Sequence, residues 1–406
     1  VRTLDLADTA AVTAMVAEAR PEACVHPAWN AEPGKYLHSR ENLRLVEATH
    51  RLAEALAAPC APFTLGVCRA CGFAFNTRFD PALMVYDPRY DNDVPSAVFT
   101  DYYRSIAKHL AAQHALTVAP VYDVGCGKGT FLDVLCEAVP GVRGVGVDPS
   151  CTPREATAER PVALVREMFR AELLSERPSL VVCRHVVEHI PRPVEFIRAV
   201  VDGVRSHPGT PLFFEVPDLD WIVQHQAFWD FCYEHCNYFT PSTFGYALRR
   251  GGVALSAARR AFGDQYQWAE GEAGESDVAL PSDAGEAVAR LTRYATDEQR
   301  RIEAAREKLR AANETGPCVL WGMATKGVVF ANLVDPEGTL LRGGVDVNPR
   351  KQGRYIPGTG HGIHAPEWLA TLGDREVTVL VMNGNYAGEI RARCEALGVR
   401  ARFEVP

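Results

Sequence analysis

The sequence predicts an α/β protein built on open, largely parallel sheets, and three observations carry that prediction. A β-rich run enters a glycine turn and then a helical period across Val121-Tyr-Asp-Val-Gly-Cys-Gly-Lys-Gly-Thr130 and Phe131-Leu-Asp-Val-Leu-Cys136, the order of strand, tight turn and helix. A second strand, Arg143-Gly-Val-Gly-Val-Asp148, follows and ends on a carboxylate. The same strand, glycine turn and helix open again at Cys318-Val-Leu-Trp-Gly322-Met-Ala-Thr-Lys326-Gly327.

A chain of 406 residues is long enough for two or three domains. Its 47% hydrophobic residues supply a core, and 23% charged residues suit a soluble protein. A net charge of −8 argues against a nucleic-acid surface, which needs clustered Lys and Arg. No apolar run reaches the length of a membrane span. The start, Val1-Arg-Thr-Leu-Asp-Leu-Ala-Asp, reads as too polar for a secretory signal, so a cytoplasmic enzyme is expected. Twelve cysteines in such a chain read as reduced core residues with room for one metal site.

The first segment, residues 1–80, is expected to be a small zinc-ribbon-like domain. Cys68-Arg-Ala-Cys-Gly72 is a knuckle that aims two thiolates at one point. Zinc wants four ligands, and a second C-x-x-C is absent. Cys24, Cys60, Cys68 and Cys71 form one possible set, with His26 the alternative fourth ligand in place of Cys60. A knuckle holding no metal is the other reading, and any zinc here is structural. Between these donors, Ser39 to Ala57 has helical spacing. The loop from Phe79 to Phe99 is rich in turn formers, tyrosines and acids, and Tyr90 is its candidate phenol for a substrate oxygen.

Residues 81–275 read as a Rossmann-like core. In the turn, Asp123 stands two residues ahead of Gly125, Gly127 follows, and Thr130 opens the helix. A dinucleotide site prefers G-x-G-x-x-G, with a pyrophosphate on the helix N-terminus. An anion at position 123 repels phosphate and attracts an ammonium or sulfonium instead, which disfavours a nicotinamide dehydrogenase. Asp148, about 20 residues on, is placed to take both ribose hydroxyls, with Pro149 beside it. Glu167, after the next strand, is a candidate for the adenine amine, or a surface charge. A buried strand then delivers His185, Glu188 and His189 at its carboxyl end in Leu180-Val-Val-Cys-Arg-His-Val-Val-Glu-His189, the edge where such sheets bind ligands. Each histidine either holds the turn by hydrogen bonds or takes part in catalysis. Phe228-Trp-Asp-Phe-Cys-Tyr-Glu-His-Cys-Asn-Tyr-Phe-Thr240 sets Tyr233, Glu234 and His235 in an aromatic context. Adjacent carboxylate and imidazole suit proton abstraction, because imidazole titrates near neutral pH.

Beyond Gly251-Gly252, Glu270 to Asp283 reads as a linker rich in Glu, Gly, Ala and Ser. Ala287 to Leu309 reads as a charged, solvated spacer helix inside a helical linker, residues 276–315. Residues 316–406 form a second α/β domain. It carries Gly343-Gly-Val-Asp346-Val-Asn348-Pro-Arg-Lys351-Gln-Gly353-Arg354-Tyr-Ile-Pro357-Gly-Thr359, then a later strand and turn through Asn383 and Glu389-Ile390.

The run Asp123-x-Gly125-x-Gly127-x-Gly129 with Asp148 resembles motif I and the second strand of class I S-adenosylmethionine (SAM) methyltransferases, and His185 to His189 resembles the segment lining their cofactor pocket. Glu234-His235-x-x-Tyr238-Phe239-Thr240 and the whole of residues 318–390 resemble the bacterial deoxysugar C-methyltransferases that act on TDP-4-keto sugars. The resemblance implies a class I SAM methyltransferase core between the N-terminal zinc domain and a C-terminal substrate-binding domain. It implies His235 as the base that removes the proton α to a ketone. Glu234 would orient it, Tyr90 or another donor would stabilise the enolate oxygen, and Tyr233 is a further catalytic candidate beside them. Lys326, Lys351 and Arg354 would neutralise a nucleotide-sugar diphosphate. The expected enzyme belongs to secondary metabolism such as antibiotic biosynthesis, acts on a small molecule, and is a monomer or homodimer. Two other readings stay open: an O- or N-methyltransferase on another natural-product acceptor, and a non-catalytic SAM-binding scaffold.

Overall fold

The structure is a computed structural model that describes residues 61–88, 96–275 and 278–406. Cys24, His26, Cys60, the helix expected over residues 39–57 and Tyr90 lie outside the described residues. Among those described, contacts divide the chain into two compact units. One holds Pro62–Ala227 and Tyr233–Thr296; the other holds Phe228–Cys232 and Asp297–Pro406.

The first unit is organised on strands β3 (Val121–Val124), β4 (Gly144–Val147), β5 (Val162–Val165), β6 (Leu180–Arg184), β7 (Pro211–Pro217), β9 (Val253–Ala261) and β10 (Tyr266–Ala273). They form one seven-stranded sheet in the order β5-β4-β3-β6-β7-β10-β9. Pairings from β5 through β7 are parallel, while β10 runs antiparallel to both β7 and β9. The order reverses between β3 and β6, and ligands of open α/β sheets bind beyond the carboxyl ends at such a switch point. This is the Rossmann-like core that the sequence predicts.

Both faces of the sheet are covered. Alternation in β3 sends Val121 to one side and Tyr122 to the other. Helices α1 (Ala97–Gln113) and α2 (Thr130–Ala138) cover the Val121 face through Ile106, Leu110, Phe131 and Leu132. Helices α3 (Pro193–Val204) and α5 (Pro241–Arg250) cover the Tyr122 face through Ile197, Val200, Phe244 and Leu248, while the short α4 (Leu219–Gln224) follows β7. Thr240 and Thr243 form a reciprocal capping box that starts α5 directly after the His235 segment.

The knuckle lies in a hairpin of β1 (Leu65–Val67) and β2 (Ala74–Asn76), and a third strand, β8 (Asn237–Tyr238), completes the sheet. Gly72, with φ of 75°, makes the reversal, and the first turn of the following long helix packs so close that a Cβ there would sit 3.1 Å from Ala287. Cys68 receives backbone N–H bonds from Ala70 and Cys71, which lower its pKa; burial raises that of Cys71.

Two expectations need correction. The linker expected from Glu270 begins inside β10, because Glu270 is only 5% exposed and binds two histidines of the α1 region. The helix expected as a solvated spacer is α6 (Ala284–Thr315), and it buries one face at Ala287, Leu291 and Tyr294, then at Ile302, Leu309 and Ala312. Those positions recur at helical spacing, but the many Arg and Glu between them mask the stripe.

In the second unit, β11 (Cys318–Trp321), β12 (Gly343–Val345), β13 (Ile363–His364), β14 (Val377–Val381) and β15 (Ala401–Glu404) form a parallel five-stranded sheet in the order β13-β12-β11-β14-β15. Helices α7 (Thr325–Val334) and α8 (Ala387–Ala396) complete its alternation of strands and helices. Among the described residues, no helix is long and apolar enough to cross a membrane.

Candidate active site

The turn after β3 holds the first part of the site. Asp123 is 3% exposed at the end of its strand. Burial pushes its carboxyl up to about 7, with Arg184 pulling it down and Asp148 pushing it further up. A buried acid in this state gains from an arriving cation. Gly125 has φ of 78°, and a Cβ there would lie 2.1 Å from Val186 Cγ2. Gly127 also has positive φ, but a Cβ on it would meet nothing within 4 Å. The backbone at Gly127 therefore faces open space beside a buried acid, which fits a ligand that combines positive charge with close backbone approach. Thr130 is the first residue of α2, whose N-cap, Gly129, offers no side-chain acceptor.

Asp148 braces this turn. Its Oδ2 accepts from the Gly127 N–H at 2.9 Å, and its Oδ1 accepts from the Ser150 N–H and hydroxyl, both at 2.6 Å. Pro149 lies between these partners. Glu167 is exposed and paired with Arg170 at 2.9 Å.

A buried polar chain runs from Asp123 along the carboxyl edge of the sheet. Arg184, 6% exposed, bonds Glu215 at 2.6 Å and lies over the rings of Tyr103 and Phe131. The Tyr102 hydroxyl donates to the same glutamate, and burial together with that carboxylate pushes its pKa far up. His185 follows with φ of 55°, a left-handed conformation uncommon for a residue other than glycine. Its Nε2 lies 3.5 Å from Glu215 and its Nδ1 lies 3.5 Å from Glu188, while Tyr266 meets its ring edge to face.

The His235 segment joins this edge. His189 Nδ1 sits 3.1 Å from the Glu234 carbonyl and 3.3 Å from the Tyr86 hydroxyl. The His189 and His235 rings meet edge to face at 4.7 Å, and Glu188, His189 and His235 offer ligand atoms within 4.8 Å of one another. The β1–β2 hairpin holds the segment in place: the Asn76 N–H donates to the Cys236 carbonyl, and β2 pairs with β8 immediately after His235. Asn237 donates to the carbonyls of Val187 and Ile190, tying His235 to the Glu188–His189 turn. Tyr233 faces the hairpin's continuation, accepting from the Asp80 N–H at 2.8 Å and donating to the Arg78 carbonyl at 3.2 Å.

Sequence reasoning passed over Arg184, Glu215 and Tyr86 as site residues, and it placed Glu188 at the ligand-binding strand end without giving it a role. A charged side chain inside an apolar strand, as in Val-Val-Cys-Arg184 and Phe-Phe-Glu215, was the available signal, since buried charges need partners. Of the tyrosines in the loop from Phe79, Tyr86 is the one seen against His189 among the described residues.

In the second unit, Lys326 pairs with Asp230 at 2.6 Å, and Lys351 lies 3.4 Å from Asp346. The Arg354 side chain donates to the Arg350 carbonyl. Asp346 also accepts from the N–H groups of Met323 and Asn348, as Asp148 does from Gly127 and Ser150.

Comparison with known proteins gives the family context. Residues 98–256 match the family model of a methyltransferase domain, and residues 281–406 match that of a C-methyltransferase C-terminal domain. The chain is 30% identical over 125 residues to a trans-aconitate 2-methyltransferase of Sinorhizobium fredii, covering 30% of this chain and 47% of that one. It is 33% identical over 101 residues to a ubiquinone biosynthesis O-methyltransferase of Ralstonia nicotianae, covering 23% and 41%. The chain thus spans less than half the length of these curated relatives. Among solved structures, a magnesium protoporphyrin IX methyltransferase from Synechocystis with bound SAH is similar at 17% identity and a TM-score of 0.33, over 45% of this chain and 89% of that one. Residues 98–256 and 281–406 thus give this chain a methyltransferase domain followed by a C-methyltransferase C-terminal domain, the domains of a SAM-dependent methyltransferase.

Proposed function

We propose that the protein transfers a methyl group from SAM to carbon in a nucleotide-activated keto-deoxysugar, in a secondary-metabolic pathway such as antibiotic biosynthesis. The observation that carries this reading is the meeting of His235 with Glu188 and His189 at the strand end whose Val186 packs on Gly125. Asp123, Gly125, Gly127, Thr130 and Asp148, with Pro149, Glu167, His185 and His189 around them, would hold the cofactor. When bound, SAM supplies an electrophilic methyl group on a sulfonium. Asp123 as the anion complements that positive charge, and the open backbone at Gly127 admits the ligand.

His235 takes the proton from the carbon beside the carbonyl, and Glu234 orients the imidazole. A phenol, from Tyr86, Tyr90 or Tyr233, donates to the enolate oxygen as charge develops there. The alignment of carbanion and donor supplies much of the rate. Lys326, Lys351 and Arg354 are the cations for a TDP diphosphate; Lys326 and Lys351 are paired with carboxylates in the structure and would exchange those partners for phosphate. Cys68 and Cys71, with Cys24 and Cys60 or His26, would hold a structural zinc; the backbone N–H bonds that lower the Cys68 pKa favour thiolate.

The test is turnover of labelled SAM against a panel of TDP-4-keto-deoxysugars, with mass spectrometry of the products. His235→Asn is expected to lower transfer by about 10²- to 10⁴-fold while SAM affinity stays near wild type. Wild-type turnover in that variant removes His235 as the base. Similarity to the Ralstonia O-methyltransferase favours a second reading, methylation at a heteroatom, and the chemical shift of the new methyl group in product NMR separates the two. Tight SAM binding without transfer to any acceptor points instead to a non-catalytic scaffold.

A further inference from the structure

We propose that Glu188, His189 and His235 form a binding site for a divalent transition-metal cation, distinct from the cysteine knuckle. Each residue offers one ligand atom, and these atoms lie within 4.8 Å of one another. Two imidazoles and one carboxylate on one side of a centre are a donor set suited to Fe(II), Co(II) or Zn(II), with further positions left for water or substrate.

Two independent features show a site built for positive charge. Glu188 is 1% exposed, and neither of its carboxylate oxygens has a hydrogen-bond partner. Its basic neighbour outside the cluster, His185 Nδ1, stands 3.5 Å away and is neutral unless protonated. A buried carboxylate left in this way is strongly disfavoured unless a cation compensates it.

The second feature is the tautomer of His189. Its Nδ1 lies 3.1 Å from the Glu234 carbonyl, which only accepts, so Nδ1 carries the proton and donates it there. Nε2 is then the unprotonated nitrogen. Metal-binding histidines are commonly oriented by this arrangement, one nitrogen donating to a backbone carbonyl and the other facing the metal. The Asn237 amide, bonded to the carbonyls of Val187 and Ile190, and the β2–β8 pairing hold the two segments that contribute ligands. The donors are thus positioned by backbone rather than by long side chains alone.

A cation here takes the lone pair of His235 that proton abstraction needs, so the loaded enzyme is silenced until the metal leaves. Only that consequence rests on the proposed function; the site itself does not.

The experiment uses the full chain, stripped with chelator and carrying Cys68→Ser so that the knuckle does not compete. It is titrated with CoCl2 by calorimetry and visible absorption. One equivalent of cobalt is expected to bind, with weak d–d bands and no thiolate charge-transfer band. Glu188→Gln and His189→Ala are each expected to weaken binding by at least about tenfold, with circular dichroism confirming that both variants fold. His189 is only half-buried, so its variant keeps the test valid should the Glu188 variant misfold. Cobalt binding unchanged by both substitutions, or no cobalt bound in the Cys68→Ser background, overturns the site. Loss of turnover in His235→Asn, together with no cobalt bound by the Cys68→Ser protein that keeps His235, overturns the site and leaves the base. Cobalt bound by this triad in a protein that methylates no acceptor upholds the site and removes the methyl-transfer reading.

Discussion

Asp123 is the residue whose chemistry is set most directly by its surroundings. Desolvation raises its carboxyl from 3.8 to about 7, against the pull of Arg184. An acid whose folded pKa lies above its unfolded value contributes stability at low pH that is lost as pH rises through the folded pKa. The ligand-free protein should therefore lose stability through this group between about pH 4 and pH 7. On the proposed function, cofactor binding draws on the Asp123 anion and should strengthen over the same interval. Calorimetric SAM affinity is expected to be several-fold tighter at about pH 8 than at about pH 6, and Asp123→Asn to bind weakly with no such dependence. The place of Asp123 in the strand before Gly125 was legible from residue order. The roles of Arg184 and Glu215 were not, since their pairing at 2.6 Å depends on β6 and β7 lying side by side, which places together residues 31 positions apart.

At the scale of elements, the glycine turn and the sheet edge make separable contributions. Gly125→Ala would drive a methyl group into Val186 at a backbone φ of 78°, so a stability loss of about 1–3 kcal/mol is expected in thermal unfolding. Gly127→Ala meets nothing within 4 Å, so it should cost about 1 kcal/mol for the left-handed conformation alone, yet abolish most SAM affinity by filling the cradle. If both variants keep wild-type affinity, the cradle lies elsewhere. Strand β10 depends on a different device. Burial raises the Glu270 carboxyl, but bonds from His114 and His109 more than offset this and leave it lowered. Its contribution is therefore present near neutrality and lost as pH falls through the folded pKa. Glu270→Gln should cost about 1–3 kcal/mol at neutral pH and less in acid, read from denaturant midpoints. The sequence showed only a run of Glu, Gly and Ala at this point. Two histidines more than 150 positions upstream turn that run into an internal strand, and no local pattern records such a partner.

At the scale of the whole molecule, two α/β units repeat one device: an acid at the end of the second strand grips the turn after the first. Asp148 does so through Gly127 and Ser150, and Asp346 through Met323 and Asn348. Asp346→Asn should thus lower the unfolding temperature by several degrees, an effect of about 1–3 kcal/mol, while SAM affinity stays unchanged because the turn proposed to hold the cofactor lies in the other unit. A matching fall in SAM affinity would show that the C-terminal unit takes part in cofactor binding. The strands, the glycine turns and the terminal acids of both units were readable from residue order, because periodicity and turn chemistry act over a few neighbours. The register that brings Glu188 and His189 to His235 was not readable. It depends on β8 pairing with β2 and on Asn237 bonding back to the Val187–Ile190 turn, contacts between segments some 50 to 160 residues apart. Local sequence specifies which chemical groups each strand end carries. Which of them share a volume of space follows from long-range hydrogen bonding and burial, because those forces act between positions that the chain order keeps apart.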